Sequence, residues 1–261
     1  MNQKALLVVS FGTSYKDTRE KNIEHIESLL AQAFPDRKYY HAYTSGMILK
    51  KLRERDGIRI PNVKEAITQI LADGITDLLV QPTHIMNGIE NDQMKETILS
   101  YQDSFDSLAF GTPLISSTED QFHVIHALME ELPALNEQDA LVFMGHGSTH
   151  HANTLYAALD YAFKQAGYPN VYMGTVEAYP DAQAVLDQLK SRDIRRVYLT
   201  PFMLVAGDHA NNDLAGEEAD SWKHLFSSQG YETTCILKGL GEYERICDLY
   251  IRHARQALLS S

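Results

Sequence analysis

One segment of this chain occurs twice, and the duplication limits what the chain can fold into. Pro82-Thr-His-Ile-Met-Asn-Gly-Ile-Glu-Asn-Asp92 aligns without a gap on the start of Pro201-Phe-Met-Leu-Val-Ala-Gly-Asp-His-Ala-Asn-Asn-Asp213, pairing Pro82 with Pro201, Gly88 with Gly207 and Glu90 with His209. A second echo lies upstream of each copy. Ala5-Leu-Leu-Val-Val-Ser-Phe-Gly-Thr-Ser14 resembles Ala140-Leu-Val-Phe-Met-Gly-His-Gly-Ser-Thr149, with Phe11 facing His146 and Gly12 facing Gly147. Two copies of one supersecondary unit are expected.

Within each copy, short Val- and Leu-rich runs alternate with stretches of helical periodicity, the pattern of a parallel sheet with helices on both faces. Strands are expected at residues 6–9, 38–43, 77–81 and 108–110, and again at 141–144, 170–176, 197–200 and 233–237. Ile23, Ile26, Leu29, Leu30 and Phe34 fall at helical spacing before Pro35, and residues 243–258 predict a terminal helix. The expected fold is α/β: two similar doubly wound parallel-sheet domains facing each other across an interdomain cleft. The stretch 133–139 is the most linker-like, so the lobes are expected at 1–135 and 136–261, with the terminal helices free to cross over.

Bulk properties narrow the partners. Lys and Arg total 23 against 35 Asp and Glu, a formal charge of -12, so the global field repels polyanions and argues against nucleic acid or an anionic membrane surface. Cys235 and Cys247 are the only cysteines, too few for a disulfide framework or a thiolate metal site, and they point to a reducing compartment. The N-terminal residues run into a strand pattern without an apolar signal region, and no run is long enough to span a bilayer, so the expected location is the cytoplasm. Neither a Gly-x-Gly-x-x-Gly fingerprint nor a P-loop is present, and no organic cofactor is expected. The residues leave homo-oligomerisation open.

Chemistry in an open α/β sheet gathers at the carboxyl ends of the strands. His146, Glu177 and His209 each stand just past a strand of the second copy. Two imidazoles and a carboxylate suit a divalent first-row metal and leave coordination positions open. Taken singly, each has a plainer explanation: a turn histidine between glycines, a helix-start carboxylate favoured by the dipole, a loop histidine. His146 and His150 have the i, i+4 spacing of a helical metal pair, but Gly147 and Ser148 lie between them. His84 reads as a packed or hydrogen-bonded strand-end residue. Lys50, Lys51, Arg53 and Arg55 form one conspicuous basic patch, either a solvated helix face or a surface for substrate carboxylates. Ser10-Phe11-Gly12-Thr13 could present backbone N–H groups to a carboxylate.

At these residues the chain resembles the class II chelatases, most closely the anaerobic-type sirohydrochlorin cobaltochelatases of cobalamin biosynthesis. Ser10-Phe-Gly-Thr-Ser14, Thr44-Ser-Gly-Met47, Lys51-Leu-Arg-Glu-Arg-Asp-Gly57, Phe143-Met-Gly-His-Gly147, Val176-Glu-Ala-Tyr-Pro180, Leu204-Val-Ala-Gly-Asp-His-Ala210 and Asp220-Ser-Trp-Lys223 carry the resemblance. It implies metal insertion into a tetrapyrrole, sirohydrochlorin or a relative, with Co2+ as the substrate metal and Fe2+ or Ni2+ as alternatives. His146, Glu177 and His209 match the metal-binding positions, His146 also the proton acceptor, and Glu90 a further cleft carboxylate. Phe11, Met203 and Leu204 would face the ring or, equally, pack in the core. Two rivals stay open: iron insertion for sirohaem, and a non-catalytic metal or tetrapyrrole carrier.

Overall fold

From Ala5 to Ser10 every residue is buried, so the first strand carries helices over both of its faces. In the computed structural model, which describes residues 3–259, β1 (Gln3–Ser10) is followed by α1 (Lys16–Thr18), a π turn at Arg19–Glu24 and α2 (His25–Ala33). β2 (Lys38–Tyr43) leads through α3 (Gly46–Asp56) and α4 (Val63–Ala72) to β3 (Ile75–Pro82), and α5 (Ile89–Leu99) leads to β4 (Ser107–Phe110). All pairings are parallel, in the order β2-β1-β3-β4. Local chemistry sets the helix ends. Ser45 caps α3 through Ile48 N and Gly57 closes it in the left-handed region, while Asn62 and Glu65 form a capping box on α4.

The second unit begins at α6 (Thr118–Met129) and continues through β5 (Asp139–Gly145), α7 (Thr154–Gln165), β6 (Val171–Thr175), α8 (Ala182–Leu189) and β7 (Arg196–Pro201). A π turn at Ala210–Leu214, α9 (Trp222–Ser228) and β8 (Glu232–Cys235) complete it, with parallel strands in the order β6-β5-β7-β8. Val142, Met144, Val185, Leu199, Trp222 and Phe226 are among its buried core. The first unit buries Leu7, Val9, Ile67, Ile70 and Val80 in the same way.

The units do not divide at 135/136. Residues 3–116 pack with α10 (Glu244–Leu259), and Ser117–Tyr243 form the other unit. The reason is packing: α6 lies against α7, whereas α10 lies against α2, β3 and β4, with the Tyr250 hydroxyl donating to the Thr83 carbonyl at 2.8 Å.

Backbone hydrogen bonds repeat between the units at every strand end. Val9 pairs with Pro82 as Met144 pairs with Pro201. Thr83 N donates to Val9 O as Phe202 N donates to Met144 O, and Leu114 N donates to His84 O as Leu240 N donates to Met203 O. Ser45 N donates to Phe11 O just as Glu177 N donates to His146 O. Ser45 is therefore the first-unit counterpart of Glu177, a match that residue types alone did not suggest.

Candidate metal centre

The strands β6, β5 and β7 are neighbours, so the residues leaving their carboxyl ends enter one small volume. His146 follows β5, Glu177 follows β6, and His209 opens the π turn beyond β7; one ligand atom from each lies within 4.8 Å of the others. No other such group of His, Cys, Asp or Glu occurs among the described residues.

Local backbone fixes each member. A Cβ on Gly145 would stand 2.1 Å from the Tyr156 ring. Gly147 takes φ +88° with the Ala178 backbone N 2.8 Å from where a Cβ would be. The two glycines thus let a tight turn lift His146 out of the sheet. Earlier in β5, buried Phe143 packs on Phe163 at 5.4 Å and edge-on to Phe202 at 5.6 Å. Glu177 N donates to His146 O at 2.9 Å, and Pro180 O, beyond the cis Tyr179–Pro180 peptide, accepts from Thr175 N and Oγ1. Asn153 ties the two loops together, its Oδ1 accepting from Ser148 N at 3.0 Å and its Nδ2 donating to Tyr179 O at 2.7 Å.

The rings of His146 and His209 meet edge to face, centroids 4.7 Å apart. Glu177 spans them: Oε2 lies 3.5 Å from His146 Nδ1 and Oε1 lies 3.9 Å from His209 Nε2. Behind this group, His209 Nδ1 lies 2.9 Å from Asp213 Oδ2 and His146 Nδ1 lies 2.9 Å from Gly147 O. The side chains of His146 and Glu177 are 46% and 54% exposed, so both are open to solvent. Ligands holding one ion from one side at about 2.0–2.2 Å stand about 3.0–3.6 Å apart, so these side chains, within 4.8 Å of one another, close on a metal with inward shifts of up to about an ångström.

The other expected site residues lie elsewhere. Glu90 is half-buried in the first turn of α5, the first-unit place equivalent to His209. Phe11 is 40% exposed at the end of β1. Ser10, by contrast, is fully buried with its Oγ accepting from Thr83 Oγ1, and Thr13 is enclosed with its Oγ1 accepting from Tyr15 N. Gly12 backs onto the Tyr43 ring at φ +101°. Of that loop, Phe11 is the member that presents a side chain. Met203 packs against the second-unit core, and Leu204 beside it is half-buried. His150 caps a 3-10 turn through Ala152 N, outside the cluster. His84 lies two residues past β3, with both ring nitrogens sealed from solvent and without a hydrogen bond, although the residue as a whole is not fully buried. That desolvation pushes its pKa down to about 4. Arg55 of the basic patch is engaged by Asp56 and Ser14 O.

Asp213 and Asn153 are the residues that reading the sequence missed. Asp213 stands four after His209, a spacing visible in the repeated segment itself; Asn153 left no signal, because its two partners lie in different loops.

Comparison with known proteins bears on the same chain. The model of the family described as cobalt chelatase (CbiK) matches residues 4–259. A sirohydrochlorin cobaltochelatase of Salmonella typhimurium strain LT2 is 44% identical over 256 residues, covering 98% of this chain and 97% of the relative. The sirohydrochlorin cobaltochelatase CbiKC of Nitratidesulfovibrio vulgaris is 28% identical, covering 99% and 92%. Among solved structures, SirB from Bacillus subtilis with Fe3+ superposes at a TM-score of 0.69 with 14% identity, covering 99% and 97%, a likeness of fold.

Proposed function

The chain belongs to the cobalt chelatase (CbiK) family, and from that premise we propose that it inserts Co2+ into sirohydrochlorin as a step of cobalamin biosynthesis. The observation that carries the assignment to residues is the meeting of His146, Glu177 and His209 at three adjacent strand ends.

Metallation exchanges two pyrrole N–H protons for one divalent cation. Each N–H bond breaks with its electron pair left on nitrogen, and that pair then binds the metal. The protein has to supply a base and a grip on the cation loose enough to be surrendered. Neutral imidazole serves both needs near neutral pH. In this assignment His146, Glu177 and His209 hold Co2+ from one side and leave its other positions for the ring nitrogens. As a ring nitrogen replaces His146 on the metal, the freed imidazole takes the departing proton. Glu177 offsets the cation's charge while it sheds water. Glu90 is assigned the second proton on its register alone, as the first-unit counterpart of His209. Phe11, Met203 and Leu204 offer apolar contact to the macrocycle, and Ser10, Gly12 and Thr13 shape the loop that carries Phe11. No helix among the described residues is long and apolar enough to cross a membrane.

The test is spectroscopic. Purified protein, sirohydrochlorin and Co2+ should give the metallated spectrum faster than metal and tetrapyrrole alone, and Glu177→Gln should lose most of that acceleration. Parallel runs with Fe2+ and Ni2+ read the metal preference. A protein-independent rate with Co2+ would refute the activity; full activity in Glu177→Gln would refute the site.

A further inference from the structure

We propose that Asp213 is a positioning residue of the metal centre: it holds His209 in one tautomer and one orientation, which makes His209 the fixed ligand and leaves His146 as the exchangeable one. The inference rests on the metal assignment above and adds the division of labour between the two imidazoles.

An ionised carboxylate only accepts hydrogen bonds, so the ring nitrogen that faces it has to carry the hydrogen. His209 Nδ1 faces Asp213 Oδ2 at 2.9 Å. Its lone pair is therefore on Nε2, the nitrogen that lies towards Glu177 Oε1 at 3.9 Å. A carboxylate behind a ligating imidazole fixes ring orientation and strengthens the ligand. His146 is held differently. Its Nδ1 bonds the neutral Gly147 carbonyl at 2.9 Å, about half as strong a bond as a charge-assisted one, and the nearest carboxylate oxygen, Glu177 Oε2 at 3.5 Å, belongs to a side chain that is itself assigned to the metal. Of the two rings, His146 is the easier to turn away from a metal.

The fold builds this contact rather than tolerating it. His209 immediately precedes the π turn Ala210–Leu214, in which Ala215 N donates to Ala210 O and the Asn211 amide donates to Gly207 O at 2.7 Å. Asp213 rides on that turn with its side chain 43% exposed. In the first unit the register that pairs Glu90 with His209 pairs Met94 with Asp213, and Met94 is buried in the core at 2% exposure. The repeat does not itself supply a carboxylate there. It occurs in the unit that has the histidine.

Two substitutions in the full-length protein separate positioning from other roles. Asp213→Ala removes the acceptor; Asp213→Asn keeps an oxygen that can still accept from His209 Nδ1–H. Co2+ is titrated without tetrapyrrole, followed by its visible d–d absorption, and the exchangeable imidazole N–H protons shifted by bound Co2+ are recorded by proton NMR. Asp213→Ala should weaken Co2+ binding about tenfold or more, lose one shifted N–H signal, and raise the KM for Co2+ more than it lowers kcat. Asp213→Asn, a neutral and therefore weaker acceptor, should lose less Co2+ affinity than Asp213→Ala and keep the signal. Wild-type Co2+ affinity in Asp213→Ala would overturn the proposal. So would an equal loss in both variants, which would make Asp213 a direct ligand or a charge. His209→Ala is the control for the underlying assignment. Wild-type Co2+ binding there would remove the metal site itself, whereas loss there with an unaffected Asp213→Ala would remove only the positioning role.

Discussion

At the end of β1 the chain places Phe11, and at the equivalent end of β5 it places His146. After β2 and β6 the pair is Ser45 and Glu177, and beyond β3 and β7 it is Glu90 and His209. The backbone bonds carrying each pair are the same. A parallel sheet decides where a strand-end residue goes and is indifferent to its chemistry. One unit presents an aromatic ring, a helix cap and a lone carboxylate, the other a set of metal donors. One repeated frame thus carries strand-end residues of different character in its two copies.

The comparison can be tested by exchanging or deleting its members. The largest effect is expected at the centre pair. His146→Ala should lower kcat for cobalt insertion by about 10²–10⁴, the range for loss of a general base, whereas Phe11→Ala should raise the KM for the tetrapyrrole with kcat within about tenfold. Steady-state kinetics with each substrate varied in turn decides this, and similar losses in both variants would break the asymmetry.

The next effect concerns the pair His84 and Met203. The pKa of His84 is about 4 in the folded protein, below the ordinary 6.5. As pH falls from about 6.5 towards 4, the unfolded chain takes up a proton that the folded protein refuses. Stability is lost across that window and is unaffected above it, by on the order of 3 kcal/mol. His84→Met, which copies the second unit's residue, should remove that part of the acid sensitivity. Denaturant unfolding at pH 7 and pH 4.5 measures it, and an unchanged difference between the two pH values would contradict the buried, neutral imidazole.

The smallest effect is expected where the loops are tied. Asn153→Ala removes the side-chain tie between the His146 and Glu177 loops, leaving the bond from Glu177 N to His146 O, and should weaken Co2+ binding about tenfold. In the first unit the loop after β1 is held instead by Arg55 donating to Ser14 O, and Arg55→Ala should leave Co2+ affinity unchanged. Metal titration of both variants checks the pair.

Much of the frame was legible because it is written in local pattern. Apolar runs located the eight strands of the described residues to within a few positions, and the duplicated Pro82 and Pro201 segments fixed the register of one unit on the other. The unit boundary was legible only in part: the sequence left the terminal helices free to cross over and could not say which would. α6 and α10 are amphipathic wherever they dock, and only packing decides that α6 joins the second unit and α10 the first. The same limit hid the supporting residues of the site. Asp213 reaches His209 across a π turn, and Asn153 bridges loops that are adjacent only when β5 and β6 pair.

The amino-acid order alone determined that there are two α/β units and that His146, Glu177 and His209 leave strand ends, since hydrophobic period and turn residues act over a few positions. Tertiary structure decided that those three side chains come within one ion's reach, that Asp213 stands behind His209, and that the last helix belongs to the first unit. Those contacts depend on strand order and long-range packing, which no local pattern of residues encodes.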